Sequence, residues 1–175
     1  MSAIAGILDI RYNEDIIHSM MATMRVRGPN AAGSYLTNQT CLLHTSLSSD
    51  EQNMVLDYNN ERYIITYDGT IYNKEELRAE LSACGHIFDG FSDSELILHG
   101  YAQWKEKILN KCNGVFAFAV LEEHSGRVFL ARDRIGVEPF FYTMHRGGMI
   151  FASEIKTILA YPDVPAEIDE EGIAQ

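Results

Sequence analysis

Met1-Ser2-Ala3-Ile4-Ala5-Gly6-Ile7-Leu8-Asp9 opens the chain and decides how the rest of it is interpreted. The run is short and apolar, which is typical of a β-strand that begins at the chain terminus. Because Ser2 is small, removal of Met1 would leave it with a free α-amino group. Such an amine, with an ordinary pKa of about 7.7–8.0, can act as the general base for its own side chain. Ser2 is therefore a candidate N-terminal nucleophile.

The composition is that of a globular domain with an acidic surface. The chain has 175 residues, of which 46% are hydrophobic and 22% are charged, enough for one domain with a core. A net charge of −11 opposes binding to nucleic-acid phosphates and to anionic membranes. The longest apolar run, Val115–Leu121, is far shorter than the roughly 20 residues that cross a bilayer. We therefore expect a cytoplasmic protein that binds neither nucleic acid nor membrane.

The cysteines and histidines give no sign of a metal site. Cys41, Cys84 and Cys112 are odd in number and too far apart for a Cys-x-x-Cys motif, which favours free thiols in a reducing compartment. The six histidines are scattered without a spacing such as His-Glu-x-x-His. We expect no metal and no cofactor.

Hydrophobic periodicity and turn residues predict an α+β fold. Asn13 is expected to cap a first helix, and further helices are expected from Asn73 to near Gly85 on a capping-box pattern, from near Ser92, and from Glu154 to Ala160. Tight turns are expected at Asn59-Asn60, around His124-Ser125-Gly126 and through Gly147-Gly148, so the sheets should be antiparallel. Strands are predicted at Gly33–Leu36, Thr40–His44, Met54–Tyr58, Arg62–Tyr67, Val115–Glu122, Val128–Arg132, Phe140–Met144 and Met149–Ala152.

Several stretches, taken in order, resemble the N-terminal glutaminase domain of class II glutamine amidotransferases, specifically of glutamine-hydrolysing asparagine synthetases. The resemblance implies a four-layer αββα sandwich of two antiparallel sheets, of the N-terminal-nucleophile hydrolase type. It also implies an amidotransferase domain at residues 1–160 and, at 161–175, the start of a linker toward a synthetase domain. The matching stretches are Ile4–Ile7, Arg27–Pro29, Asp68–Asn73, Leu77–Leu81, Ser92–Glu95, Gly114–Ala119, Leu130–Gly136 and Phe151–Lys156.

The resemblance places Ser2 at the position of the family's catalytic cysteine, whose thiolate attacks the glutamine amide. Ala3 stands where the family usually has glycine. A serine hydroxyl is a much weaker nucleophile near neutral pH, because its proton is harder to remove than that of a thiol. Other N-terminal-nucleophile hydrolases use serine, so this substitution alone does not exclude activity.

The oxyanion position differs more severely. The family has Asn-Gly here, and the asparagine amide and the glycine N–H stabilise the oxyanion of the tetrahedral intermediate. This chain has Asp68-Gly69, followed by Thr70 in place of glutamate. Loss of one such donor costs roughly 2.7–4 kcal/mol of transition-state stabilisation. An ionised Asp68 would add repulsion between like charges.

The substrate-binding positions are also altered. Ser46 replaces the arginine that pairs with the α-carboxylate of glutamine in the family, and serine cannot supply that bidentate charged contact. Val26 and Asn30 replace the histidine and the aspartate of the family's His-Arg-Gly-Pro-Asp loop. Asp93, which in the family holds the substrate ammonium group, is retained. An alternative explanation for Asp93 is that it caps the third helix.

The unchanged motifs are those with structural explanations. Gly28-Pro29 is interpreted as a turn, Gly114–Ala119 as a core strand, and Arg132-Asp133-Arg134 as an internal ion-pair cluster. The changed positions are those with catalytic explanations. We therefore expect a domain that has lost glutaminase activity and serves a structural or assembly role in an ATP-dependent amide-forming ligase.

Two alternatives remain open from the sequence. One is an active amidohydrolase that uses Ser2 with its free α-amine and acts on a substrate other than glutamine. The other is a small-molecule binding module that reuses the cleft around Asp93, Asp68 and Ser46; two carboxylates without arginine would favour a cationic or amine ligand. The expected partner is an ATP-dependent synthetase domain or subunit, and a homodimer is the other association left open.

Overall fold

The computed structural model describes residues 2–47 and 54–166, and in these residues the chain forms nine strands and four α-helices. The helices are α1 (Glu14–Met24), α2 (Lys74–Ala83), α3 (Asp93–Trp104) and α4 (Ile155–Leu159), with a 3₁₀ helix at Lys105–Asn110. The strands are β1 (Ser2–Leu8), β2 (Ala31–Leu36), β3 (Thr40–Ser46), β4 (Met54–Tyr58), β5 (Glu61–Ile71), β6 (Gly114–Glu122), β7 (Arg127–Arg132), β8 (Phe141–His145) and β9 (Gly148–Ala152).

The strands form two antiparallel sheets that pack face to face. One sheet has the order β2-β3-β1-β9-β8 and the other β4-β5-β6-β7. Helices α1 and α4 pack on the outer face of the five-stranded sheet, and α2 and α3 pack on that of the four-stranded sheet. The predicted αββα sandwich is confirmed. The hydrophobic core between the two sheets includes the fully buried side chains of Leu42, Ile64, Ala119, Leu121 and Phe151.

Local sequence signals predict several of these elements well. The Asn13 side chain accepts a hydrogen bond from the N–H of Ile16 at 2.9 Å, as expected of a helix cap. Asn59 and Asn60 both have positive φ, 50° and 59°, which is the conformation of a tight β-hairpin turn. Ser92 caps α3 by accepting the N–H of Glu95. The suggestion that Asp93 is this cap is therefore wrong, and its carboxylate is used elsewhere.

Three local predictions need correction. The fifth strand continues to Ile71 instead of ending at Tyr67, because its pairing with β6 extends to Gly114. The Asn73 side chain does not form the predicted capping box: its oxygen accepts the N–H of Asn113 at 2.9 Å. The last hairpin turns at Arg146 and Gly147, both with positive φ, and not through Gly147-Gly148.

Arg132-Asp133-Arg134 is not the predicted ion-pair cluster, because each charged group binds the backbone instead. The Asp133 carboxylate accepts the N–H groups of Val137 and Glu138, both at 3.0 Å. Burial alone would raise the pKa of Asp133, but these N–H groups outweigh it and the pKa is lowered. The Arg132 guanidinium donates to the carbonyl groups of Gly136 and Glu138, and that of Arg134 donates to the Leu109 carbonyl. The motif therefore organises a loop.

The predicted division at residue 160 stays a prediction. Tyr161 is buried in the core beneath α1 and α4, and its hydroxyl donates to the Arg11 carbonyl at 2.7 Å. Most of the predicted linker, residues 167–175, lies outside the described residues. Among the helices that the structure describes, none combines the length and the apolar character needed to cross a membrane.

Candidate active site

The pairing of β1 with β3 places Ser2 opposite Ser46 at one end of the five-stranded sheet. The Ser2 hydroxyl donates to the Ser46 hydroxyl at 3.4 Å. Both residues are buried. The sequence-predicted nucleophile position and one predicted substrate-binding position are therefore in direct contact.

Asp68 reaches this pair from the other sheet. Its Oδ1 atom accepts the N–H of Ser2 at 3.0 Å, and its Oδ2 atom lies 3.1 Å from Nη2 of Arg27. Only 4% of Asp68 is exposed. The residue at the predicted oxyanion position thus faces Ser2 with a hydrogen-bond acceptor, where the family pattern has an amide donor.

Arg27 and Glu138 complete this group, and sequence reasoning missed both. The Arg27 guanidinium donates to the Ser2 carbonyl through Nε at 2.9 Å, and its Nη2 also lies 3.5 Å from the Glu138 carboxylate. Arg27 belongs to a motif that was interpreted only as a turn. We define the Ser2 cluster as Ser2, Arg27, Ser46, Asp68 and Glu138.

Asp68 binds its proton more tightly than an ordinary aspartate does. Burial is the largest cause and the nearby Glu138 carboxylate is the second, and together they raise the pKa of Asp68 to about 6. The Ser2 N–H and the Arg27 guanidinium oppose this shift without cancelling it. When Asp68 is ionised, its carboxylate places a negative charge next to Ser2 and disfavours a developing anion there.

The backbone conformation and the packing at position 69, beside Asp68, require glycine. Its φ is +142°, a backbone conformation that residues with a side chain rarely adopt. A Cβ atom here would also collide with the carbonyl oxygen of Val115 and the Cα of Phe116. Thr70, the next residue, is exposed on β5 opposite Val115.

Asp93 is occupied by groups of this chain. Its Oδ2 atom accepts the N–H of Ile71 at 3.0 Å, and its Oδ1 atom lies 2.7 Å from the Lys74 ammonium group. Lys74 was also missed from the sequence. The expectation of two carboxylates without an arginine is therefore wrong, because Asp68 is paired with Arg27. Asp93 is paired with Lys74.

The remaining altered positions lie on the rim of the site. Val26 is 81% exposed, and Asn30 is exposed with its side chain donating to the Leu47 carbonyl. Gly28 packs so closely on the backbone of Thr45 and Ser46 that a Cβ atom would collide with it. In residues 2–47 and 54–166, no three His, Cys, Asp or Glu side chains come together as metal ligands would.

Comparison with known families gives one match along the whole chain. The profile described as "Glutamine amidotransferase domain" matches residues 1–175. Asparagine synthetase [glutamine-hydrolyzing] 3 of Bacillus subtilis is 38% identical over all of this chain and 30% of the relative. Asparagine synthetase [glutamine-hydrolyzing] 1 of the same organism is 36% identical over 93% of this chain and 26% of the relative. The chain thus spans less than a third of the length of these relatives.

Solved structures share the fold at low sequence identity. Glutamine phosphoribosylpyrophosphate amidotransferase from B. subtilis, complexed with ADP and GMP, superposes with a TM-score of 0.77 at 18% identity. A second structure, described as the allosteric regulatory enzyme of purine biosynthesis, gives 0.80 at 17%. Each match covers 91% of this chain and 43% of the other. The likeness establishes a common αββα architecture.

Proposed function

The chain belongs to the glutamine amidotransferase domain family, and we propose that it is a member without glutaminase activity that serves a structural or assembly role in an ATP-dependent amide-forming ligase. One observation carries the proposal: the Asp68 carboxylate accepts the N–H of Ser2 at 3.0 Å. This contact affects two steps of the family reaction, the stabilisation of the oxyanion and the transfer of the nucleophile's proton.

The first consequence concerns the tetrahedral intermediate. Its oxyanion needs hydrogen-bond donors in a buried site, and Asp68 presents acceptor oxygens that already face Ser2 and Arg27. Loss of a single donor lowers the rate by roughly 10²–10³, before any repulsion from the carboxylate is counted. Gly69 can supply only its backbone N–H.

The second consequence concerns the proton of the Ser2 hydroxyl. After removal of Met1, the Ser2 nitrogen becomes an α-amine beside the Asp68 carboxylate. A carboxylate at hydrogen-bond distance stabilises the protonated ammonium form. A protonated amine cannot accept the hydroxyl proton, so Ser2 loses the general base that an N-terminal nucleophile requires.

Recognition of both charged groups on the α-carbon of glutamine, the carboxylate and the ammonium group, is weakened. Ser46 offers a neutral hydroxyl where the family pattern has a guanidinium, and that hydroxyl contacts Ser2. The Lys74 ammonium already neutralises Asp93, so a substrate ammonium would have to displace it. The same contact argues against an amine-binding module at Asp93.

The lengths of the relatives support a partner domain for this one. This chain accounts for 30% and 26% of two relatives named asparagine synthetases, so in them a larger remainder accompanies the matching region. We infer that the domain works beside an ATP-dependent synthetase domain. Free thiols at Cys41, Cys84 and Cys112 support a cytoplasmic location.

A glutaminase assay tests the proposal. The purified chain, with loss of Met1 checked by intact mass, is incubated with L-glutamine and the release of glutamate is measured. We expect the same background rate from the parent chain and from Ser2→Ala. Glutamate release that Ser2→Ala abolishes would show a working hydrolase and overturn the proposal.

A further inference from the structure

Two buried histidines that are distant in the sequence form a direct contact on the outer side of the four-stranded sheet. Nδ1 of His86 lies 2.8 Å from Nδ1 of His99, and the two residues are only 6% and 7% exposed. On the other side of its ring, Nε2 of His86 lies 3.0 Å from the side-chain oxygen of Gln103. That oxygen also accepts the Tyr58 hydroxyl at 2.9 Å. Neither histidine belongs to the Ser2 cluster.

The contact between the two Nδ1 atoms limits the pair to one positive charge. A hydrogen bond between two ring nitrogens needs one N–H and one lone pair, so it forms when both rings are neutral. It also forms when one ring is an imidazolium that donates to its neutral neighbour. When both rings are protonated, both Nδ1 atoms carry hydrogen and two positive charges face each other. The contact therefore cannot survive the second proton.

The histidine pair attaches a connecting segment to α3. We define the α2–α3 segment as residues 85–92, which join these two helices and include the first histidine. Within it, the Phe88 ring packs on that of His99 with 4.7 Å between their centroids. The buried Glu95 carboxylate accepts the N–H groups of residues 89–90 at 2.6 and 3.1 Å. All these contacts lead to α3, so the segment depends on side chains of that helix for its position.

Charged groups near the pair act on it in both directions. The carboxylates of Glu95, on α3, and of Asp89, in the α2–α3 segment, favour the protonated form of His99. The guanidinium of Arg78, on α2, and the neighbouring ring of His86 oppose it. Burial is the largest influence, and the pKa of His99 is lowered from its ordinary value of about 6.5. Protonation of the pair is therefore a response to acid.

The other elements that pack on α3 supply groups with little net charge. β4 supplies Tyr58, whose ring stacks on that of His86 at 4.6 Å between centroids. The 3₁₀ helix supplies the Lys105 ammonium group, which donates to the Tyr63 hydroxyl on β5 and to the Glu122 carboxylate on β6. Because this ion pair is neutral as a whole, its effect on the two imidazoles is small.

We propose that the His86–His99 pair is an acid-sensitive latch, which holds the α2–α3 segment on α3 at neutral pH and releases it when both imidazoles are protonated. The segment ends at Ser92, the cap of α3, and the next residue is Asp93, which pairs with Lys74. Mild acid would therefore also loosen the first turn of α3 beside the candidate active site. The latch does not depend on whether the domain hydrolyses glutamine.

Hydrogen exchange of the backbone amides of residues 89–90, measured from about pH 7.5 to about pH 4.5, tests the proposal. After correction for the intrinsic exchange rate, local opening should increase about tenfold per pH unit once the pair holds one proton, because opening then takes up one further proton. The amides of β6, paired on both sides within the sheet, report global unfolding and should not show this increase.

A substitution that keeps the hydrogen bond but removes one titrating ring separates the latch from other effects of acid. In His99→Asn, the amide oxygen can accept the Nδ1–H of His86 whether that ring is neutral or charged. Exchange at residues 89–90 should then change less than about twofold over the same pH range. His18→Asn, at an exposed histidine on α1, is the matched control and should keep the parent's profile.

An NMR titration of the histidine rings in the parent chain gives a second test that needs no substitution. We expect two separate protonation steps for the pair, the second of which coincides with the rise in exchange at residues 89–90. Two rings that titrate independently, at the ordinary pKa of histidine, would overturn the proposal. So would exchange that stays constant over the whole pH range, or the same pH dependence in His99→Asn as in the parent.

Discussion

Two regions that meet on β5 are constrained in different ways. Around Gly69 the constraint is on the backbone, because φ of +142° and the contact with Val115 leave no room for a side chain. In the Ser2 cluster the constraint is on side-chain chemistry, and Asp68, the immediate neighbour of Gly69, presents a carboxylate where the family pattern has an amide. The comparison teaches that a fold can keep a reaction site's backbone while the side chains that perform the chemistry change.

The largest effect is expected at Gly69. In Gly69→Ala, backbone strain and the collision with Val115 should together destabilise the folded state by about 4 kcal/mol. Gly85→Ala is the matched control, since Gly85 also has a positive φ, +93°, but has open space around its Cβ position. That variant should lose only about 1 kcal/mol. Urea unfolding measures both, and equal losses would show that close packing is not what holds Gly69.

A smaller effect, with a defined pH dependence, is expected at Asp68. Its pKa is about 6 in the folded chain and about 3.9 in an unfolded one, so between these values the folded state holds more protons. The associated stability is fully present below about pH 4 and is lost as pH rises through 6, a change of about 3 kcal/mol. Asp68→Asn should remove this decrease in stability with rising pH. Arg27 would still have Glu138 as an ion-pair partner in this variant.

Thermal unfolding from pH 4 to pH 8 compares the parent chain with Asp68→Asn. Because the other titrating groups are shared, the difference between the two curves isolates Asp68. Parallel curves for the parent and Asp68→Asn would mean that the carboxylate is not buried as described.

The smallest effect is expected at Lys74. Its ion pair with Asp93 is partly exposed, since 43% of the Lys74 side chain is accessible, so Lys74→Ala should cost less than about 1 kcal/mol. Asp93→Ala should cost about 1–3 kcal/mol, because it removes the acceptor of the Ile71 N–H. Urea unfolding distinguishes the two variants. A larger loss in Lys74→Ala would assign Lys74 a structural role beyond this ion pair.

The fold was predictable from the sequence where the signals are local. Asn13 and Ser92 cap helices through their own side chains, and Asn59-Asn60 adopts the turn that asparagine favours. Asn73 was misjudged because its partner, Asn113, lies forty residues away. Local patterns carry no information on such a contact.

The candidate site was predictable only in part, for the same physical reason. Ser2, Ser46 and Asp68 were identified through a family resemblance, and the structure brings them together. Arg27, Glu138 and Lys74 were missed because their roles depend on contacts with residues that are distant in the sequence. A charged residue beside a turn or at a helix start gives no sequence signal of the carboxylate that it will meet.

The most direct test of the central claim changes only residue 68 in a chain that has been given the family's nucleophile and its arginine. The parent for this test is Ser2→Cys/Ser46→Arg, and the comparison adds Asp68→Asn; kcat/KM for glutamine hydrolysis is measured for both after removal of Met1. Our account predicts that Asp68→Asn raises kcat/KM by roughly 10²–10³-fold, because one oxyanion hydrogen-bond donor contributes about this factor to the rate. Equal rates, with the Asp68 chain fully active, would contradict it.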